Sequence, residues 1–488
     1  MPSVLALDQG TTGSTALVLA DDGRVLGRGY REFTQHFPSP GQVEHDAEEL
    51  FRVTVEAARD ALKQSESRPS ALGITNQRET IVVWDRATGR ALHRALVWQD
   101  RRTAARCREL QAAHGDAWIA DRTGLVWDPY FSATKIEWLL QNVSGLRDKA
   151  ARGDALFGTV DAWLVYRFTN GAAYVTDHTN ASRTLLYDIH RRAWDPDLLT
   201  LFGVPPAALP AVRPSSGVVG TALAEHLGLE IPIAGLVGDQ QAALFGQACW
   251  APGEAKCTYG TGAFLLMNVG QRLEVGSTSG VLATIACDAA GQPCFALEGS
   301  IFIAGAAIQW LRDGLGIIKS AQETEAMARS VADTGGVYFV PAFVGLGSPH
   351  WNADVRGTIV GLTRGTTRAH LVRAALESMA YGTRDVMEAM ARRSGVTLAS
   401  VKVDGGAAAN PWLMQFLANA LGVAVARPDI VETTALGAAG LAGLATGVWK
   451  NAAAFAAART YQSFPPGPRR DADYAGWQRA TRAALSAV

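Results

Sequence analysis

Two short glycine–threonine turns, set half a chain apart, constrain this sequence more than anything else in it. Asp8-Gln9-Gly10-Thr11-Thr12-Gly13 joins the apolar runs Val4–Leu7 and Thr15–Ala20, and Gly260-Thr261-Gly262 joins Lys256–Tyr259 and Ala263–Val269. Each reads as strand, tight turn, strand. The leading glycines lie 250 positions apart in a chain of 488 residues. Asp22-Gly23 signals another hairpin into a third strand near Arg24–Phe33, and Asp46 with Glu49 predicts a capping box for a helix to about Leu62. Consecutive hairpins followed by a helix predict a mixed sheet, and their recurrence predicts two similarly built halves. Trp250-Ala251-Pro252-Gly253 is the expected boundary. With no long linker, the halves are expected to pack closely around a cleft.

Composition narrows what that cleft can hold. The 45 basic and 46 acidic side chains give a formal net charge of −1, which argues against a nucleic-acid partner but allows a small anion held locally. The length suggests two to four domains, and 48% hydrophobic residues support packed cores. Cys107, Cys249, Cys257, Cys287 and Cys294 form no CxxC pair and are odd in number, as expected of reduced thiols. The nine histidines show no metal-ligand spacing. Asp8 interrupts the first apolar run and no basic segment precedes it, so no signal peptide is expected. Ala435–Trp449 is Ala/Gly-rich and shorter than the roughly 20 residues a membrane span needs, so it reads as a buried helix. A cytoplasmic protein without a membrane segment is expected.

A third turn lies late in the chain. Val401–Val403 reads as a strand, Asp404-Gly405-Gly406 as a turn, Asn410 as an N-cap, Pro411 as the first helical residue and Gly422 as the helix stop. A glycine turn is ordinarily no more than a tight hairpin. Three of them, two matched across the halves, point to phosphate held by backbone amides and Thr hydroxyls. The chain lacks both GxxxxGK[ST] and GxGxxG, so a nucleotide site must be of the paired-hairpin kind. Asp8, beside the first turn, reads equally as a Mg²⁺-facing carboxylate or as an Asp that bonds its own turn. Asp239, after the strand Ala234–Val237, is either a helix N-cap or a general base at a strand's carboxyl end. Asn76-Gln77-Arg78-Glu79-Thr80 is either a solvated turn or a donor–acceptor pair for a polyhydroxy substrate, with Trp98, Tyr130 and Phe264 as candidate apolar walls.

In these residues the sequence resembles the FGGY carbohydrate kinases over nearly its whole length. The long patterns are Tyr130–Leu139 and the stretch from Gly357 through Gly361 and His370 to Glu377. The match runs from the Asp8–Thr12 turn to Glu432–Gly437, and its more selective stretches are Asn76–Thr80, Trp98–Arg101, Asp177–Thr184 and Gly238–Leu244. The resemblance implies an α/β fold of two actin-like (ribonuclease H-like) domains, with mixed sheets flanked by helices and an interdomain cleft. Residues 1–249 would bind substrate and phosphate, and 250–488 the adenine nucleotide. It implies ATP-dependent phosphorylation of glycerol to sn-glycerol 3-phosphate, with Mg²⁺, in glycerol catabolism, by a homodimer or homotetramer. Arg78, Glu79, Tyr130, Asp239 and Gln240 would hold glycerol, with Trp98 and Phe264 against its carbons and Asp239 as base. Thr11, Thr12, Gly13, Thr261, Gly305, Gln309, Gly406 and Asn410 would contact the nucleotide, and Asp8 would serve the metal and phosphates.

Two departures stand out. Many relatives of this type carry Arg where the chain has Thr15, which removes one nucleotide contact. Some bacterial members place a Gly-rich, Arg-bearing loop before the Ile-Pro-Ile strand to bind an inhibitory sugar bisphosphate. This chain has His226-Leu227-Gly228-Leu229-Glu230 there, and Glu230 would repel phosphate, so that feedback is expected to be absent. His226 reads as a surface-loop histidine. The rival readings are another polyol or sugar kinase, an ATP-switching filament or chaperone protein, and a sugar sensor. A sensor would have lost Asp8 or Asp239.

Overall fold

The apolar runs around the first turn fold as expected in a computed structural model, which describes residues 2–274, 280–430, 432–457 and 459–487. Ser3–Gln9 pairs antiparallel with Gly13–Ala20, which pairs antiparallel with Val25–Glu32. On its other side Ser3–Gln9 runs parallel to Ala71–Asn76, which in turn runs parallel to Ile231–Gly238. Ser216–Ala222 closes the far edge of this six-stranded sheet. Its three parallel strands are covered on both faces, which is why they read as continuous apolar stretches.

The second half repeats the plan. Glu254–Tyr259 pairs antiparallel with Ala263–Gly270, itself antiparallel to Pro293–Ile301, and runs parallel to Ser400–Gly405 and then Val425–Pro428. Leu282–Cys287 and Tyr461–Phe464 form the edges of this seven-stranded sheet. The repeated turns therefore mark a repeated topology, two α/β units with mixed sheets flanked by helices.

The Ala/Gly-rich segment is a helix, Thr433–Thr446, ended by Gly447 in the left-handed region. It follows the second sheet in sequence yet packs on the first. A Cβ at Gly235 would sit 2.8 Å from Ala442 N, and one at Gly73 or Gly437 would strike backbone. The small residues thus let this helix lie directly on the sheet and on Asp239–Gly246. Among the described residues no helix is long and apolar enough to cross a membrane. All five cysteines are free and buried.

Two local expectations change. Asp46 caps Ala47–Ser65 through the amides of Glu48 and Glu49, but the Glu49 carboxylate turns to Thr34 N at 3.3 Å, so only half of the capping box forms. His226 lies in the short helix Ala224–Leu227 with its ring edge-on to Phe51 and Phe168, not in a free surface loop. Pro411–Leu421 matches its reading, capped by Asn410 and stopped by Gly422.

Candidate active site

The first turn, Gly10-Thr11-Thr12-Gly13, carries no charged side chain. Its carbonyl oxygens are all occupied by the protein. Gln9 Nε2 and Gln77 Nε2 donate to Gly10 O at 2.7 and 3.2 Å, and Gln35 Nε2 donates to Thr11 O at 3.0 Å. Gly10 N closes the turn onto Gly13 O at 2.9 Å. With the acceptors tied back, the amides of Thr11 and Thr12 have no hydrogen-bond partner among the described residues, which leaves them available to an anion. Gln35 is itself steered by the buried His45, whose pKa burial lowers to about 4.

The second turn reaches the same end by different means. Here backbone amides occupy the carbonyls: Ala304 N and Ala306 N donate to Thr261 O at 2.8 and 3.1 Å, and Gly305 N to Gly260 O at 3.1 Å. A Cβ at Gly305 would approach Gly260 O to 2.5 Å, which explains the glycine. The first amides of the helix Gly305–Asp313 are therefore spent on the turn. A cavity of about 500 Å³ opens beside it, bounded by Thr261, Gly305, Gln309, Gly406 and Asn410, all expected nucleotide residues. Gly405 has φ +86° and a Cβ there would collide with Tyr259 O, whereas Gly406 faces open space. Asn410 is partly committed: its Oδ1 accepts from Leu413 N at 3.1 Å, and its Nδ2 donates to Thr324.

Between the two sheets lies a buried charge cluster, so the solvated-turn reading of Asn76–Thr80 is wrong. Arg78 is 3% and Glu79 1% exposed. Arg78 Nη1 and Nη2 donate to Glu298 at 2.5 and 3.2 Å, while its Nε lies 3.2 Å from Asp239 Oδ1. Arg183 shares Glu298 and adds Glu79, donating to Glu79 at 2.6 Å and to Glu298 at 2.9 Å. Burial works against the Glu298 charge, but Arg183 and Arg78 outweigh it and hold the carboxyl at about 2. Glu79 carries φ +62°, a strained conformation for a residue with a side chain. Asp239 is the first residue of Asp239–Gly246 rather than its N-cap, which is Gly238. Its Oδ1 accepts from Gln240 N at 2.6 Å. Gly238 N is pinned by Thr179 Oγ1 at 2.8 Å, which fixes the backbone just before Asp239. Burial raises the Asp239 pKa, and Arg78 pulls against that rise.

Asp8 faces this cluster from the end of Ser3–Gln9 and pairs in register with Thr15. Side chains directly opposite on antiparallel strands are neighbours, so an Arg at position 15 would stand beside this carboxylate. Thr15 leaves the charge unneutralised. Burial, reinforced by Asp239, raises the Asp8 pKa to about 7. No group of three or more His, Cys, Asp or Glu suited to a metal occurs among the described residues. One carboxylate completed by substrate phosphates is nevertheless a common way to hold Mg²⁺, so Asp8 fits that ion. The shift is testable in metal-free protein. The folded pKa lies above the unfolded one, so this group's contribution to stability falls as pH rises from about 4 to about 7. Asp8→Asn is expected to gain stability relative to wild type across that window, then level off. A pH-independent difference in urea unfolding would count against the buried carboxyl.

Trp98, Tyr130 and Phe264 meet, as expected, around a cavity of about 340 Å³ completed by Phe302 and Trp351. Arg78 Nη2 reaches Tyr130 Oη at 3.4 Å, which joins the cavity to the charge cluster. Gln240 Oε1 accepts from the buried Lys256. Sequence reasoning assigned no role to Glu298, Arg183, Lys256 or Thr179. Arg183 and Thr179 lie inside the selective stretch Asp177–Thr184, and Lys256 reads only as part of a strand.

Residues 3–246 match the model of the N-terminal domain, and residues 255–446 that of the C-terminal domain, of the FGGY family of carbohydrate kinases. The chain is 54% identical to "Glycerol kinase" of Halorhodospira halophila, over 99% of this chain and 96% of that one. It is 52% identical to "Glycerol kinase 2" of Thermotoga maritima over 99% of each. The crystal structure of Plasmodium falciparum glycerol kinase with ADP superposes with a TM-score of 0.95 at 34% identity, covering 99% of this chain and 98% of that one.

Proposed function

The chain belongs to the FGGY family of carbohydrate kinases, and from that premise we propose that it transfers the γ-phosphoryl group of ATP to a terminal hydroxyl of glycerol. One observation supports this above the others. Asp239, a carboxylate of raised pKa at the carboxyl end of a central parallel strand, sits 3.2 Å from Arg78 Nε among the phosphate turns and the aromatic cavity. An alcohol acceptor must lose its proton during transfer, and a base placed there serves that need.

Arg78, Glu79 and Gln240 would orient the acceptor hydroxyls, with Trp98 and Phe264 against the carbon chain and Tyr130 beside Arg78. Asp239 takes the hydroxyl proton as the acceptor oxygen forms its bond to the γ-phosphorus. The bond from that phosphorus to the bridging oxygen breaks, and its electron pair leaves with ADP. The amides of Thr11, Thr12, Gly13 and Thr261 would hold phosphate oxygens, while Gly305, Gln309, Gly406 and Asn410 bound the nucleotide. Asp8 would hold Mg²⁺, which when bound offsets phosphate charge. Closure of the two halves would exclude water from the transfer. The division at Trp250–Gly253 belongs to the same reading, as does a homodimer or homotetramer, which light scattering would establish.

A cavity of about 340 Å³ admits acceptors larger than glycerol, so size alone does not choose among polyols. ADP release should therefore be measured with glycerol, xylulose, gluconate, erythritol and no acceptor. Glycerol is expected to give the highest kcat/KM. Turnover with xylulose but not with glycerol would overturn the proposal, and acceptor-independent hydrolysis would favour an ATP switch. Fructose 1,6-bisphosphate at low salt is expected to leave the rate unchanged, given Glu230.

A further inference from the structure

Trp98 does more in this structure than wall the acceptor cavity. Its indole Nε1 donates to Thr11 Oγ1 at 2.9 Å, across 87 residues of sequence. An indole nitrogen can only donate, so the Thr11 hydroxyl accepts there and its own proton must point elsewhere. The Thr11 side chain makes no second hydrogen bond to the protein among the described residues, and the Thr11 carbonyl is already taken by Gln35. The hydroxyl proton thus has no acceptor in the protein among the described residues, which leaves it available to a ligand.

The main chain of Trp98 is tied to that turn by a second route. Trp98 N donates to Thr80 Oγ1 at 3.2 Å, and Thr80 Oγ1 donates to Gln77 Oε1 at 2.9 Å. Gln77 Nε2 then donates to Gly10 O at 3.2 Å. Side chain and backbone of one tryptophan close a ring of hydrogen bonds through the turn. The ring face is steadied by Tyr130, edge-on with centroids 5.6 Å apart.

We propose that Trp98 is a positioning residue: its N–H fixes the Thr11 hydroxyl as a donor to the transferred phosphoryl group, so one hydrogen bond joins the acceptor wall to the phosphate turn. This rests on the kinase reading above. A tryptophan that served only as an apolar wall would act on acceptor binding. A positioning tryptophan acts on turnover.

The test is a double-mutant cycle on the full chain, with folding of each variant checked by near-ultraviolet circular dichroism. Trp98→Phe keeps an aromatic wall and removes the N–H. It is expected to lower kcat about three- to tenfold, the scale of one hydrogen bond, with KM for glycerol changed less than kcat. Thr11→Val is expected to lower kcat about ten- to a hundredfold, since a donor to a charged group is lost. Adding Trp98→Phe to Thr11→Val should then cost nothing further in kcat, and Thr11→Ser should restore most of the wild-type rate. Fully additive effects, or a Trp98→Phe variant with wild-type kcat and only a raised KM, would overturn the inference alone. A wild-type chain that turns over no glycerol would overturn the functional reading and this inference with it.

Discussion

Asp239→Asn is expected to leave the protein folded while lowering kcat by roughly 10²–10⁴, the range of a positioned general base. The substitution is nearly isosteric. An amide oxygen can still accept from Gln240 N, now bonded at 2.6 Å, and can still face Arg78 Nε. What disappears is a group able to take a proton. The folded state loses little, because burial already disfavours the Asp239 charge and raises its pKa. The Asn variant should therefore unfold at a urea concentration equal to or above wild type. KM for glycerol should move less than kcat. In wild type the acid limb of kcat/KM should lie above the ordinary carboxylate range, since the base must be ionised to work, and that limb should vanish from the variant's residual activity. Near-wild-type turnover in the Asn variant would remove Asp239 from the mechanism.

The parts of this protein that were legible in its sequence are those fixed by local rules. The hairpins around Gly10 and Gly260 announce themselves by apolar runs and glycine, and Asn410, Pro411 and Gly422 by their capping chemistry. The unbonded amides of the first turn also follow from local rules, because amides at a tight turn need no distant partner to be available. The carbonyl partners that aim them, Gln35, Gln77 and the amides of 304–306, are supplied by the tertiary fold. The charge cluster is open to a solvated reading in the sequence because Arg78 finds its partner Glu298 220 residues further on. Local sequence shows the charge but not the neutralising acid. Glu49 departs from its capping box for the same reason, since Thr34, brought alongside by the sheet, competes for its carboxylate.

Glu298 should show the largest stability effect outside the apolar core. It lies on Pro293–Ile301 of the second sheet, 1% exposed, and neutralises two arginines carried by the other half of the chain. Glu298→Ala would leave Arg78 and Arg183 buried with only Glu79 and Asp239 to share, and breaking such a pair costs about 3–5 kcal/mol. The urea midpoint should fall accordingly, with turnover lost as Arg78 leaves its place beside Tyr130 and Asp239. Glu298→Gln separates the two effects, because a neutral oxygen can still accept one guanidinium hydrogen bond. That variant is expected to fold with a smaller loss of stability. Its Arg78, no longer neutralised from the second sheet, should draw more strongly on Asp239 and move the acid limb of kcat/KM to lower pH. A weaker base gives a lower plateau rate, so kcat should fall even where Asp239 is fully ionised. An Ala variant with wild-type stability and turnover would show that Glu298 does not hold Arg78 in place.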